Sequence, residues 1–120
     1  MKVINVIGGG LAGSEASLYL ANKGYKVNLY EQKPLKKSPA HHSDFLGELV
    51  CSNSLKSKKI DNACGLLKEE MKYFNSIMME SSSQSEVPAG NALSVDRDIF
   101  AEYITNKIKN HPNITLISEE

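Results

Sequence analysis

Six residues near the amino terminus, Gly8-Gly9-Gly10-Leu11-Ala12-Gly13, carry the spacing G-x-G-x-x-G, which can bring backbone N–H groups against a phosphate. In that chemistry Gly8 permits a tight turn and Gly10 omits the side chain that would hold a pyrophosphate off the backbone. Gly13 lets the following helix lie close to the preceding strand. The anion then faces a helix N-terminus, where free N–H groups and the helix dipole favour negative charge. Glu31, eighteen residues after Gly13, is spaced to accept hydrogen bonds from the ribose hydroxyls of an adenosine. An acid there disfavours a 2′-phosphate, so NAD or FAD is expected ahead of NADP. Glu15, in the first turn of the same helix, reads as an acid stabilised by the dipole.

Other reactive types are few. Cys51 and Cys64 are thirteen residues apart, match no metal-ligand spacing and are expected to be free thiols. A lone cysteine is most simply inert packing. Cys51, however, sits in the polar, turn-prone run Ser52-Asn53-Ser54, which suits a partly exposed site; Cys64 opens a helix and is assigned a structural role. His41 and His42 are adjacent, so in an extended segment they point to opposite sides and cannot easily share a metal; no metal site is expected. Arg97, between Asp96 and Asp98, reads as a surface ion-pair partner or helix-start residue.

Positioning these groups requires a particular set of elements. Val3 to Ile7 is a short apolar run ending at glycine, the pattern of a strand buried on both faces. Leu11 to Asn22 has helical spacing and is followed by Lys23-Gly24, a C-terminal cap. Tyr25 to Glu31 is a second strand, completing a βαβ unit. Gln32 to Ser43, with two prolines and three lysines, is an exposed loop. Asp44 to Leu49 suggests a short helical turn, and 50–54 is irregular. Asp61 to Glu80 predicts one helix with Leu67, Met71, Phe74 and Met78 on a core-facing stripe. Ser81 to Ser85 reads as a polar linker, Pro88 to Asn91 as a turn, and Asp96 as the N-cap of a helix through Lys109 with Phe100, Ile104 and Ile108 inward. Ile114 to Ile117 is a third parallel strand. The fold class is therefore α/β: a Rossmann-like, doubly wound parallel sheet that binds FAD or NAD(P), present as its N-terminal part.

With 120 residues the chain holds one domain's core, so a complete multi-domain enzyme is not expected within it. At 41% hydrophobic and 23% charged residues, without Trp, it reads as a soluble globular sequence and not as a disordered or disulfide-stapled one. No apolar run suits a membrane span and the start does not resemble a signal peptide, so a cytoplasmic location and no membrane partner are expected. Net charge is zero, but residues 1–60 carry nine lysines against four acids and 61–120 five basic groups against ten acids. That asymmetry permits a polyanionic ligand on the first half, as well as a plain solvated surface. Three strands fall short of the five or six of a doubly wound sheet. The chain is accordingly expected to be residues 1–120 of a longer FAD-binding domain, with a second domain beyond, and to fold poorly or associate in isolation.

The glycine fingerprint with Ser14-Glu15-Ala16, then Leu29-Tyr30-Glu31, Pro39-Ala40-His41-His42, Glu48 to Leu55, Gly65 to Met71, and Val87-Pro88-Ala89-Gly90 with Val95-Asp96-Arg97, together resemble the N-terminal portion of the folate- and FAD-dependent tRNA uracil-5 methyltransferases, the TrmFO family. Departures are Gln32-Lys33 for Met-Arg, Lys56 for Arg, Asn91 for Gly and Ser94 for Ala. The resemblance implies an enzyme with FAD as cofactor and 5,10-methylenetetrahydrofolate and NAD(P)H as co-substrates. It would transfer a one-carbon unit to C5 of uridine 54 in the tRNA T-loop. It implies Cys51 as the active-site thiol, either attacking C6 of uracil or assisting the one-carbon chemistry. Gly8, Gly9, Gly10, Leu11, Ala12, Gly13, Glu31 and Asn53 would then hold the cofactor. Alternatives are a related flavoprotein acting on ribosomal RNA or on the tRNA wobble uridine, and a catalytically silent dinucleotide-binding module.

Overall fold

The computed structural model describes residues 2–120. In chain order the elements are β1 (Val3–Ile7), α1 (Leu11–Asn22), β2 (Lys26–Glu31), β3 (Ser54–Ser57), α2 (Ala63–Tyr73), α3 (Ile77–Ser85), β4 (Glu86–Val87), β5 (Ala92–Val95), α4 (Arg97–Lys109) and β6 (Ile114–Ser118). β1, β2 and β6 form a parallel sheet with β2 in the middle, Ile7 opposite Tyr30 and Glu31 opposite Ser118. The expected three parallel strands and their helices are present, as the α/β assignment requires.

Helix ends follow local chemistry. Past α1, the Tyr25 N–H returns to the Leu20 carbonyl and the Gly24 N–H to the Ala21 carbonyl, with Gly24 at φ +96°; this is a Schellman closure that a glycine accommodates without strain. Asp96 caps α4 by accepting from the N–H groups of Asp98 and Ile99. Phe100, Ile104 and Ile108, at successive i+4 positions, are fully buried and pack with Leu18, Val27, Leu29 and Ile114 into one core.

Several expectations are corrected. β1 is not buried on both faces: Val3 and Ile7 are 54% and 80% exposed, since β1 forms an edge of the sheet and is paired only with β2. The segment 61–80 is two helices, broken where Asn75 turns left-handed (φ 59°) and Ser76 starts α3 as its N-cap. The break rotates the apolar stripe: Leu67 and Phe74 are exposed and Met71 half-buried, while Ile77 and Met79 reach the interior. Ser81 to Ser85 belongs to α3, where Ser81, Ser82 and Ser85 return their hydroxyl protons to carbonyls three or four residues back. Residues 44–49 make bends without a helical turn. A second, antiparallel sheet, β3-β5-β4, was not anticipated; β4 and β5 are the arms of a hairpin around Gly90.

Candidate dinucleotide site and adjoining cysteine cleft

The alternation along β2 turns Val27, Leu29 and Glu31 to the buried side. Glu31 thereby ends the strand only 9% exposed, next to the glycine turn that joins β1 to α1. Its Oε1 accepts the Gly9 N–H at 2.9 Å and its Oε2 the Lys33 N–H at 2.8 Å. One N–H per oxygen leaves each with a lone pair free for a further donor such as a hydroxyl.

Each glycine of the turn is required for a different reason. Gly8 lies at φ +97°, donating its N–H to the Tyr30 carbonyl at 2.7 Å. A Cβ at Gly13 would overlap the Gly8 carbonyl oxygen, and one at Gly9 would press on Leu46 Cδ2. Gly10 differs: nothing lies within 4 Å of where its Cβ would be. That open side adjoins the start of α1, whose first i to i−4 bond runs from the Ser14 N–H to the Gly10 carbonyl. The N–H groups of Leu11, Ala12 and Gly13 are therefore the open donors of the first turn. A cradle with an extended, uncrowded Gly10 beside three free N–H groups fits a pyrophosphate. Gly13→Ala should cost several kcal/mol through this backbone overlap, on the order of other strained backbone substitutions; a melting temperature equal to wild type would contradict the close packing.

Glu15 has a role the dipole reading did not foresee. It accepts from the Ser76 hydroxyl and, at 2.9 Å, from the Ile77 N–H, so an acid of α1 caps α3.

The chain between Glu31 and Cys51 folds back on the turn. Gly47 donates its N–H to the Gly9 carbonyl at 2.9 Å, and the Leu46 N–H bonds Thr105 Oγ1 of α4 at 2.8 Å. Lys33, 5% exposed, sends its ammonium inward to the Phe45 carbonyl and to Glu48 Oε1 at 3.1 Å. Glu48 in turn accepts the His42 N–H at 2.8 Å and the Ser43 N–H at 3.3 Å. Burial by itself would raise the Glu48 carboxyl. The His42 N–H, the Lys33 hydrogen bond, the Ser43 N–H and the Lys33 charge override it and hold the group at about 2.

Since the folded value lies below the unfolded one of about 4.5, stability from this carboxylate is complete above that pH and lost on acidification toward about 2. Denaturation midpoints of wild type and Glu48→Gln should then differ most near neutrality and converge as pH falls through that window. A gap that persists unchanged in acid would remove the charge-based account.

Beyond Glu48 the chain lines an open cleft of about 940 Å³, with His42, Glu48, Cys51, Asn53, Val87 and Arg97 among its walls. Cys51 is exposed there, on an irregular segment that ends where Asn53 ties back through its Nδ2 to the Val95 carbonyl at 3.2 Å. Arg97 begins α4, as expected of a helix-start residue. It makes no ion pair among the described residues and instead points Nη1 at the Leu49 carbonyl, 3.4 Å away. His41 bonds Ser38 while His42 faces the cleft, the divergence that adjacency implies. Cys64 is exposed on α2, so a packing role for it is corrected. The structure thus brings Cys51, Asn53 and Arg97 to one cleft. Gly8 to Gly13 and Glu31 form a separate cradle, with 41–49 as the wall between them.

The family model described as glucose inhibited division protein A (GIDA) matches residues 3–120. The chain belongs to that family. A Ligilactobacillus salivarius protein named methylenetetrahydrofolate–tRNA-(uracil-5-)-methyltransferase TrmFO is 57% identical over 117 residues, covering 98% of this chain. A Staphylococcus saprophyticus protein of the same name is 55% identical over 119 residues, covering 99%. The GIDA-family chain spans 27% of the length of these relatives. Among solved structures, Aquifex aeolicus GidA superposes with a TM-score of 0.76 at 21% identity, covering 99% of this chain and 19% of that one. A p-nitrophenol 4-monooxygenase from Pseudomonas putida superposes at 0.58 and 14% identity, over 97% of this chain and 32% of that one. These likenesses establish the Rossmann-like α/β fold. Among the described residues no helix is long and apolar enough to cross a membrane.

Proposed function

We propose that this chain is the N-terminal part of the FAD-binding domain of an enzyme that transfers a one-carbon unit from methylenetetrahydrofolate to C5 of a tRNA uridine. The observation that carries the reading is the 55–57% identity to proteins bearing that name across nearly the whole chain. The geometry supports it: the glycine cradle suits a dinucleotide, and the cleft gathers residues from three segments that carry the resemblance. In this reading the N–H groups of the first turn of α1 hold the pyrophosphate and Glu31 holds the ribose. FAD, when bound, supplies the two-electron reduction that turns a methylene into a methyl group, with NAD(P)H as the source of electrons. Cys51 stands exposed at the cleft, where a thiol can add to the C6 position of a uracil ring and activate C5. Asn53 fixes the far end of the Cys51 segment, and Arg97 presents a permanent cation to an anionic substrate. The uridine at position 54 of the T-loop is the preferred target, and the protein acts in the cytoplasm.

The test uses the polypeptide that carries this chain. A yellow protein with bound flavin that transfers label from methylenetetrahydrofolate and NAD(P)H to a T-loop stem, and not to a wobble-uridine stem or a ribosomal RNA fragment, is the expected result. A colourless protein, or label on one of the other RNAs, would replace this reading.

A further inference from the structure

The Lys33–Glu48 ion pair has no part in the chemistry proposed for the dinucleotide cradle or the thiol cleft, although Glu48 lines the cleft and the Lys33 N–H bonds Glu31. Both side chains are nearly enclosed, at 4% and 10% exposure, in a protein whose other ion pairs among the described residues are all on the surface. Surface pairs contribute little, whereas breaking a buried pair leaves a desolvated charge behind, so this pair has structural consequences the others lack. Its position is specific. Through its backbone, Lys33 donates to Glu31 Oε2, the same carboxylate that takes the Gly9 N–H. Through its side chain it reaches the Phe45 carbonyl and Glu48, and Glu48 closes the loop by accepting from His42 and Ser43. The closed loop then sets the Gly47 N–H on the Gly9 carbonyl and runs on through Leu49 to Cys51. One lysine thus joins the acid of the cradle to the wall shared with the cleft.

We propose that Lys33 and Glu48 are a positioning pair: a largely enclosed latch that holds the 42–49 loop on the glycine turn and orients Glu31, so that nucleotide affinity depends on a side chain directed away from the glycine turn, to Phe45 and Glu48. The proposal rests on the FAD reading for its affinity arm only. The latch itself is read without cofactor.

The experiment is amide hydrogen exchange at Gly9 and Gly47, with FAD titration, on the polypeptide that carries this chain. Lys33→Met should speed exchange at both glycines by about tenfold or more, the factor equivalent to about 1.4 kcal/mol of local opening. Exchange in the Phe100 to Ile108 core of α4 should stay unchanged. The same variant should weaken FAD by a similar factor, and Lys33→Arg, which keeps the cation, should restore both. Should Lys33→Met fail to fold, the double variant Lys33→Met/Glu48→Leu removes both charges and should recover melting temperature while Gly9 and Gly47 stay fast. Wild-type exchange at the glycines in Lys33→Met, or acceleration in step with the α4 core, would overturn the latch. So would a double variant that regains slow exchange, or a Lys33→Arg that does not. If wild type binds no FAD, the functional reading fails while the exchange arm still decides the latch.

Discussion

Gly10→Val is expected to abolish FAD retention while leaving the fold standing. The two effects separate because Gly10 is already extended, at φ −74° and ψ −160°, a conformation a β-branched residue adopts readily. Nothing in the protein lies within 4 Å of the added Cβ, so the branch point itself meets no packed atom. The fold should lose no more than the cap preference of glycine over valine, about 1 kcal/mol. The branched side chain would, however, occupy the space a pyrophosphate needs beside the open N–H groups of α1. Glu31→Ala should weaken retention less by direct loss of ribose bonds, about 1.5–3 kcal/mol for a charged acceptor. It would also free the Gly9 and Lys33 N–H groups, so its melting temperature should fall further than that of Gly10→Val. Equal flavin content in Gly10→Val and wild type would remove the dinucleotide reading.

Cys51→Ala is expected to lower methyl transfer to a T-loop uridine by orders of magnitude with the fold and bound FAD intact, as when a covalent nucleophile is removed. The thiol is exposed and makes no packing contribution, so the substitution leaves no cavity. Cys64→Ala supplies a sharper control than sequence reasoning provided. Because Cys64 is also exposed, its loss should change neither stability nor rate. Activity that survives in Cys51→Ala, or falls only in step with flavin loss, would return Cys51 to a bystander.

Short-range chemistry was legible in the sequence because it depends on residues within one or two turns of each other. The G-x-G-x-x-G spacing, the Asp96 cap, the Lys23-Gly24 stop and the i+4 stripe of α4 are all of this kind, and each appears where its local physics demands. The cradle could therefore be assembled on paper from Gly8 to Gly13 and Glu31. The single helix drawn over 61–80 failed for the complementary reason. Apolar spacing continued through Asn75, but the Ser76 hydroxyl and the Ile77 N–H bond Glu15, 61 and 62 residues away in the chain, and a new helix begins there.

What only the tertiary structure decided is which polar residues are buried and what faces them. Lys33 looks like a surface residue in a loop of lysines and prolines, and Glu48 like one in a short turn; their enclosure follows from the return of 42–49 across Gly9, which no local pattern announces. Likewise the antiparallel β3-β5-β4 sheet draws residues 54–57 and 86–95 together and so carries Cys51 and Arg97 to the same cleft. Sequence by itself determined the βαβ unit, α4 and the reactive types, since these depend on backbone propensity, local caps and side-chain chemistry. Their placement depends on long-range packing and hydrogen bonding, which exist only once the chain has closed on itself.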